Sequence, residues 1–133
     1  MGPGSMEAEW EDAIRHGDVQ CVRNLIDRGA DVDARDVHGR TALMIAAHAG
    51  HRELVETLIA HRADLNTTAK YGLSALMLAV VAGHAEVAWL LADAGADRSL
   101  RGTGAPGFAG KTALDLAVER DMRELSIALK SGL

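Results

Sequence analysis

The sequence predicts an all-α protein built from repeated helix–turn–helix units, and three observations predict it. A 33-residue period runs through the chain, apolar residues inside each period follow helical spacing, and alanine fills one register of the helices. The alanines matter because Phe, Trp and Tyr together make up 3% of the 133 residues. A core with so few aromatic rings has to close by bringing helix backbones near one another.

The period comes first. Gly17, Gly50 and Gly83 lie 33 residues apart, and Ala30-Asp31, Ala63-Asp64 and Ala96-Asp97 keep the same interval. Thr41-Ala42-Leu43-Met44 returns as Ser74-Ala75-Leu76-Met77 after 33 residues, and as Thr112-Ala113-Leu114-Asp115 after a further 38. Agreement among several registers over three or four copies is not a chance pattern.

Within each unit, Leu54, Val55, Leu58 and Ile59 mark one face of a helix, as do Cys21, Val22, Leu25 and Ile26, and then Val87, Ala88, Leu91 and Ala92. A shorter helix precedes each. Thr41, Ser74 and Thr112 are its N-cap candidates, because a hydroxyl accepts from an otherwise unpaired first-turn N–H. Gly50 and Gly83 end the first helix, and Gly29 and Gly95 end the second, where a left-handed backbone suits glycine. Ala13, Ala46, Ala79 and Ala117 share one register of the short helices. Each unit therefore reads helix, tight turn, helix, extended loop.

The run from Asp36-Val-His-Gly-Arg-Thr41-Ala-Leu-Met through Gly50-His-Arg-Glu-Leu-Val55 to Ala63-Asp64-Leu-Asn66 closely resembles the ankyrin repeat. The resemblance implies a solenoid of stacked helix pairs with β-hairpin-like loops. It divides the chain into a capping repeat at about 7–35, full repeats at about 36–68 and 69–101, and a terminal repeat at about 102–133. Residues 6–133 are then expected to form a single domain, while residues 1–5 read as an expression leader. Polar Arg120, Asp121, Arg123, Glu124 and Lys130 fit a solubilising cap and a complete four-repeat unit; an excised module of a larger protein is the alternative. Three departures stand out. The family's Thr-Pro-Leu-His is here Thr-Ala-Leu-Met or Ser-Ala-Leu-Met, which removes a proline's fixed φ and a histidine's hydrogen bonds. Arg62 takes the place of Gly29 and Gly95, where a left-handed Arg would cost about 1–2 kcal/mol. Gly102 to Ala109 lengthens the last loop by five residues.

Composition narrows function by exclusion. A net charge of −5 gives no overall electrostatic support to nonspecific nucleic-acid or anionic-membrane binding. The longest uncharged run, between Tyr71 and Gly83, falls short of the roughly 20 residues that cross a bilayer. One cysteine, Cys21, excludes an internal disulfide and a cysteine-based zinc site. No charged-then-apolar leader follows Met6, so a cytoplasmic location is expected.

Catalytic, cofactor and metal sites are not expected. His51 and His84 follow helix-ending glycines, where the resemblance implies a structural histidine. His48 and His51 are separated by Gly50, which breaks the helix between them; His16, His38 and His61 have no liganding neighbour in sequence. Cys21 falls in the register of Leu54, Val87 and Leu125 and reads as a small core residue. Asp115 is the third residue after Thr112, which points to a capping box rather than an acid/base pair with Glu119. Gly102-Thr-Gly-Ala-Pro-Gly107 lacks both the spacing and the preceding strand of a phosphate-binding loop.

The resemblance instead implies protein recognition on a concave face of loop tips and short helices, by a protein or peptide and without nucleic acid or membrane. Carried over by position, that face takes Glu7, Arg15, His16, Arg35, Val37, His38, Arg40, His48, Ala49 and Thr68. It continues with Lys70, Tyr71, Leu73, Val81, Ala82, Arg101, Lys111, Glu119 and Arg120. Seven cations against Glu7 and Glu119 give it +5, whereas the whole chain is −5. The excess negative charge falls on the second helices, at Asp18, Asp27, Glu53, Glu56, Glu86, Asp93 and Glu124. An adaptor or inhibitor that steers an acidic partner into the face follows, with Tyr71, Leu73 and Val81 as anchors; plain solvation of the basic tips is the competing reading. Trp89, with Ile127 at the corresponding place one repeat on, suggests a self-associating or scaffold surface, although a monomer is favoured. Phe108 either tucks under the lengthened loop or projects towards a ligand.

Overall fold

Hydroxyl side chains set the start of the first helix in each pair, and glycines set most of the stops. The structure, a computed structural model, describes residues 5–104 and 107–131. Eight α-helices occupy these residues: α1 (Met6–His16), α2 (Val19–Asp27), α3 (Ala42–Ala49), α4 (Arg52–Ala60), α5 (Ala75–Val81), α6 (Ala85–Asp93), α7 (Ala113–Glu119) and α8 (Arg123–Ser131). The expected leader apart from Ser5, two residues of the lengthened loop (105 and 106) and the last two residues lie outside the described part.

Thr41, Ser74 and Thr112 cap α3, α5 and α7, accepting from the N–H of Met44, Met77 and Asp115 at 3.3, 3.3 and 3.2 Å. At α7 the Asp115 carboxylate also accepts from the Thr112 N–H at 3.0 Å, which completes the expected capping box. The second helices start differently: Asp18 caps α2 through the Cys21 N–H, whereas His51 and His84 make no side-chain cap on α4 or α6. Their rings serve the stack instead. A Cβ added at Gly17 would lie 3.0 Å from the His51 ring, and one at Gly50 would lie 2.7 Å from the His84 ring. Both glycines are also left-handed, at φ 68° and 76°. Glycine is needed there for backbone conformation and for room.

The odd-numbered helices pack against one another in one layer and the even-numbered helices in a second, each pair antiparallel. Ala13, Ala46, Ala79 and Ala117 are all buried where neighbouring helices meet. Met44 and Met77 are buried as well. In place of the family histidine they give an adaptable apolar fill, while the hydroxyl caps hold the turn. Cys21, on α2, is partly buried against the core.

One helix departs from the expected pattern of a short helix followed by a longer one. α1 has 11 residues against 9 for α2. Ser5 starts it by accepting from the Ala8 N–H at 3.1 Å, and Trp10 buries its ring at this end of the core. The other three pairs keep the expected order.

Loop side chains tie one pair to the next. Asp33 accepts from the Asp64 N–H at 2.8 Å, and Asn66 accepts from the Asp97 N–H at 2.7 Å. Arg62 adopts φ 64°, the left-handed conformation that Gly29 and Gly95 take at 101° and 102°. Among the described residues no helix is long and apolar enough to cross a membrane.

Candidate functional site

Two loop tips with the same place in the repeat, 36–40 and 69–73, form the centre of the site, and they are held in different ways. In the first, Asp36 accepts from the N–H groups of His38 and Arg40 at 2.8 and 2.9 Å and pairs with the Arg40 guanidinium at 3.0 Å. The Gly39 N–H closes the turn on the Asp36 carbonyl, and an isolated antiparallel bridge joins Arg35 to Thr41. Partial burial opposes ionisation of Asp36, but the two N–H donors and the Arg40 cation outweigh it and hold the carboxyl below its usual range.

In the second tip, Ala69 replaces the aspartate, so no carboxylate organises the turn. Lys70–Gly72 forms a short 3-10 turn in which Tyr71 is left-handed, at φ 64°. For a bulky residue such a conformation costs on the order of 1–3 kcal/mol and persists only where neighbours enforce it. Here the neighbour is the lengthened loop. The Thr103 N–H donates to the Tyr71 carbonyl at 2.7 Å, and the Phe108 ring lies 6.1 Å from the Tyr71 ring at a 37° tilt. An isolated parallel bridge between Gly102 and Ala109 holds that loop together. Of the two readings for Phe108, the structure selects the tucked one: it is partly buried against the core cluster and the tyrosine.

His38, Arg40, Lys70 and Tyr71 surround one open depression, floored by Ala69, Leu73 and Leu78. Lys70 Nζ stands 5.0 Å above the Tyr71 ring, and Tyr71 is 39% exposed. Leu73 requires a correction. Expected as a projecting anchor, it is 6% exposed and belongs to the core. It shares a register with Arg40 and Lys111, which suggested surface; an apolar side chain with no Asp36-type partner turns inward instead.

The charge reading changes too. Arg15 pairs with Asp12 at 3.4 Å, Arg40 with Asp36 at 3.0 Å, and Lys111 and Arg120 with Glu119 at 2.6 and 3.9 Å. Adding Asp12, Asp36 and Asp115, whose carboxylate feels Arg101 and Lys111, sets seven cations against five acids and lowers the face from +5 to +2. Three of the expected cations have no carboxylate within ion-pair distance among the described residues. The Arg35 guanidinium donates to the carbonyls of Gly39 and Thr68, that of Arg101 donates to Gly110, and Lys70 sits over Tyr71.

The remaining expected residues are spread more widely. His48 and Val81 stand near the C-terminal ends of α3 and α5, away from the tips. Lys111 borders a separate depression at the end of the stack. Trp89 and Ile127 line different depressions. Trp89, 46% exposed, borders a depression with Ala85, Glu124 and Leu125, whereas Ile127, 67% exposed, lines the end depression with Leu114 and Val118. Successive residues on α8 differ by about 100°, which sends Leu125 and Ile127 to different neighbours. Asp36, Leu78 and Thr103 were not anticipated; the Asp-x-x-Gly spacing of 36–39 was the available signal for the first, and nothing local marked the other two. Among the described residues, no group of three or more His, Cys, Asp or Glu side chains is placed to hold a metal ion.

A family model described as ankyrin repeats, in three copies, matches residues 11–101. Human ankyrin repeat domain-containing protein 29 is 46% identical over 50 residues, 37% of this chain and 16% of the human protein. The potassium channel AKT3 of Oryza sativa subsp. japonica is 43% identical over 42 residues, 32% of this chain and 5% of the channel. An ankyrin repeat protein of Rickettsia felis is 43% identical over 42 residues, 32% of this chain and 67% of its own length. The chain thus covers a small part of the first two relatives. With more than half of its residues matched and its capped helix pairs stacked in two layers, the chain belongs to the ankyrin-repeat family, an all-α and typically non-enzymatic family whose repeats are protein–protein interaction modules.

Proposed function

We propose that this chain is an adaptor or inhibitor that receives an acidic segment of a partner protein in the depression around Tyr71. One observation carries the reading: His38, Arg40, Lys70 and the exposed Tyr71 converge on one apolar floor. Aromatic and Arg side chains over a dry floor are the usual anchors of an interface. Arg35 and Lys70, with no carboxylate within ion-pair distance among the described residues, and Arg101, whose guanidinium acts on Asp115 only at longer range, supply the attraction for acidic residues and raise the rate of encounter more than the affinity. Val81, His48 and Lys111 extend the contact along the array. In this reading residues 6–133 act as a single domain of four repeats, after a leader at residues 1–5, and work in the cytoplasm without a cofactor.

A displayed random-peptide library tests it. Peptides enriched on the wild-type chain should carry Asp or Glu beside an apolar residue, and Arg40→Glu combined with Lys70→Glu should remove that enrichment. Enriched peptides without acidic bias, or unchanged selection by the double variant, would overturn the assignment.

A further inference from the structure

The end of the stack at α7 and α8 is apolar at its centre and polar around it. In α1, α3 and α5 the residues Ile14, Ala47 and Val80 are buried under the next helix, yet Val118, in the same register of α7, is 61% exposed. Leu114, whose counterparts Leu43 and Leu76 are buried, is only partly covered, and Ile127 stands beside it on α8. Three other registers change character at this end. Met44 and Met77 give way to Asp115, Val55 and Ala88 to Ser126, and Ile59 and Ala92 to Lys130.

This pattern discriminates between occupants. A further apolar helix pair laid over the face would take Asp115 and Lys130 out of water with no opposite charge facing either across the contact, which is costly. A fully solvated cap would have no use for Leu114, Val118 and Ile127 side by side. A second copy of the same face satisfies both sets. Asp115 lies in the first turn of α7 and Lys130 in the last turn of α8. The two helices are antiparallel, so these opposite charges sit at the same end of the face. A two-fold axis parallel to the helices places α7 of one copy over α8 of the other. Asp115 then faces Lys130 of the second copy at both crossings, with the apolar residues between them. The perpendicular axis would set α7 on α7 and bring Asp115 against Glu119, carboxylate to carboxylate.

We infer that two copies of this chain pair end to end through α7 and α8 about that axis, Leu114, Val118 and Ile127 forming the dry centre and Asp115–Lys130 the two flanking ion pairs. The face is small beside a standard interface of about 800 Å² per partner, so the dimer is weak and concentration-dependent. It leaves the Tyr71 depressions free and presents two of them per particle.

Sedimentation velocity on the full chain over a concentration series tests the inference. The wild type should shift from monomer towards dimer as concentration rises. Ile127→Asp and Lys130→Glu should each weaken association at least about tenfold, a loss of about 1.4 kcal/mol, with unchanged melting profiles. Trp89→Ala should associate like the wild type. An equimolar mixture of Lys130→Glu and Asp115→Lys, each impaired alone, should recover association, because both crossings are again complementary. A wild type that stays monomeric throughout, variants that associate like it, a dimer lost on Trp89→Ala, or no recovery in the mixture would overturn the inference.

Discussion

The loop tips 36–40 and 69–73 occupy the same place in successive repeats, yet one is held from within and the other from outside. Asp36 satisfies its own turn: its carboxylate takes the N–H groups of His38 and Arg40 and the Arg40 guanidinium. Ala69 has no side-chain acceptor to offer and keeps only its backbone bonds to Gly72 and Leu73, so the strained Tyr71 is fixed by Thr103 and Phe108 of the next repeat's lengthened loop. The difference reaches the third position of comparison as well. Arg40 stays at the surface because it has an anion beside it, whereas Leu73 goes into the core. A self-sufficient tip is a local property. A supported tip couples two repeats, and the proposed recognition surface includes both kinds.

Substitutions can break this contrast in order of size. Leu73→Ala should lose about 2–4 kcal/mol in urea unfolding, as for a buried leucine, while Arg40→Ala, in the same register, should lose less than about 1 kcal/mol. Equal effects would erase the distinction between the tips. Asp36→Asn should lose about 1–2 kcal/mol near neutral pH, since hydrogen bonds to an ionised group are the stronger kind. The folded carboxyl titrates below its unfolded value, so its contribution is complete above about pH 4 and is lost as pH falls through the folded value. Urea midpoints of wild type and variant should therefore converge in acid. Phe108→Ala should lose about 1 kcal/mol and speed hydrogen exchange at the Thr103 amide, leaving the His38 amide as it was. The smallest effect acts outside both tips. Arg62→Gly should raise stability by about 0.5–1 kcal/mol, the left-handed strain removed less the extra chain entropy, read as a higher melting midpoint.

Much of the fold was readable from residue types at fixed intervals. Thr41, Ser74, Thr112 and the glycines at 17, 50 and 83 announce helix ends through local chemistry, and buried alanines announce close helix approach. The site was readable in part. His38, Arg40, Lys70 and Tyr71 do converge, because loop tips of successive repeats must lie side by side. Register alone misjudged Leu73, whose neighbour at position 69 decides its direction, and it overcounted free cations because Asp12, Asp36 and Asp115 were left out. It also joined Trp89 to Ile127, which share a register on α6 and α8 but line different depressions.

By itself the sequence determined the period, the caps and the family, since these depend on interactions within a few residues or on exact recurrence. Tertiary structure decided which cations keep an open charge, that Phe108 supports Tyr71, and that Val118 and Ile127 meet in one depression left open by the described residues. Those outcomes depend on contacts between residues far apart in the chain, and on which surfaces the next repeat happens to cover.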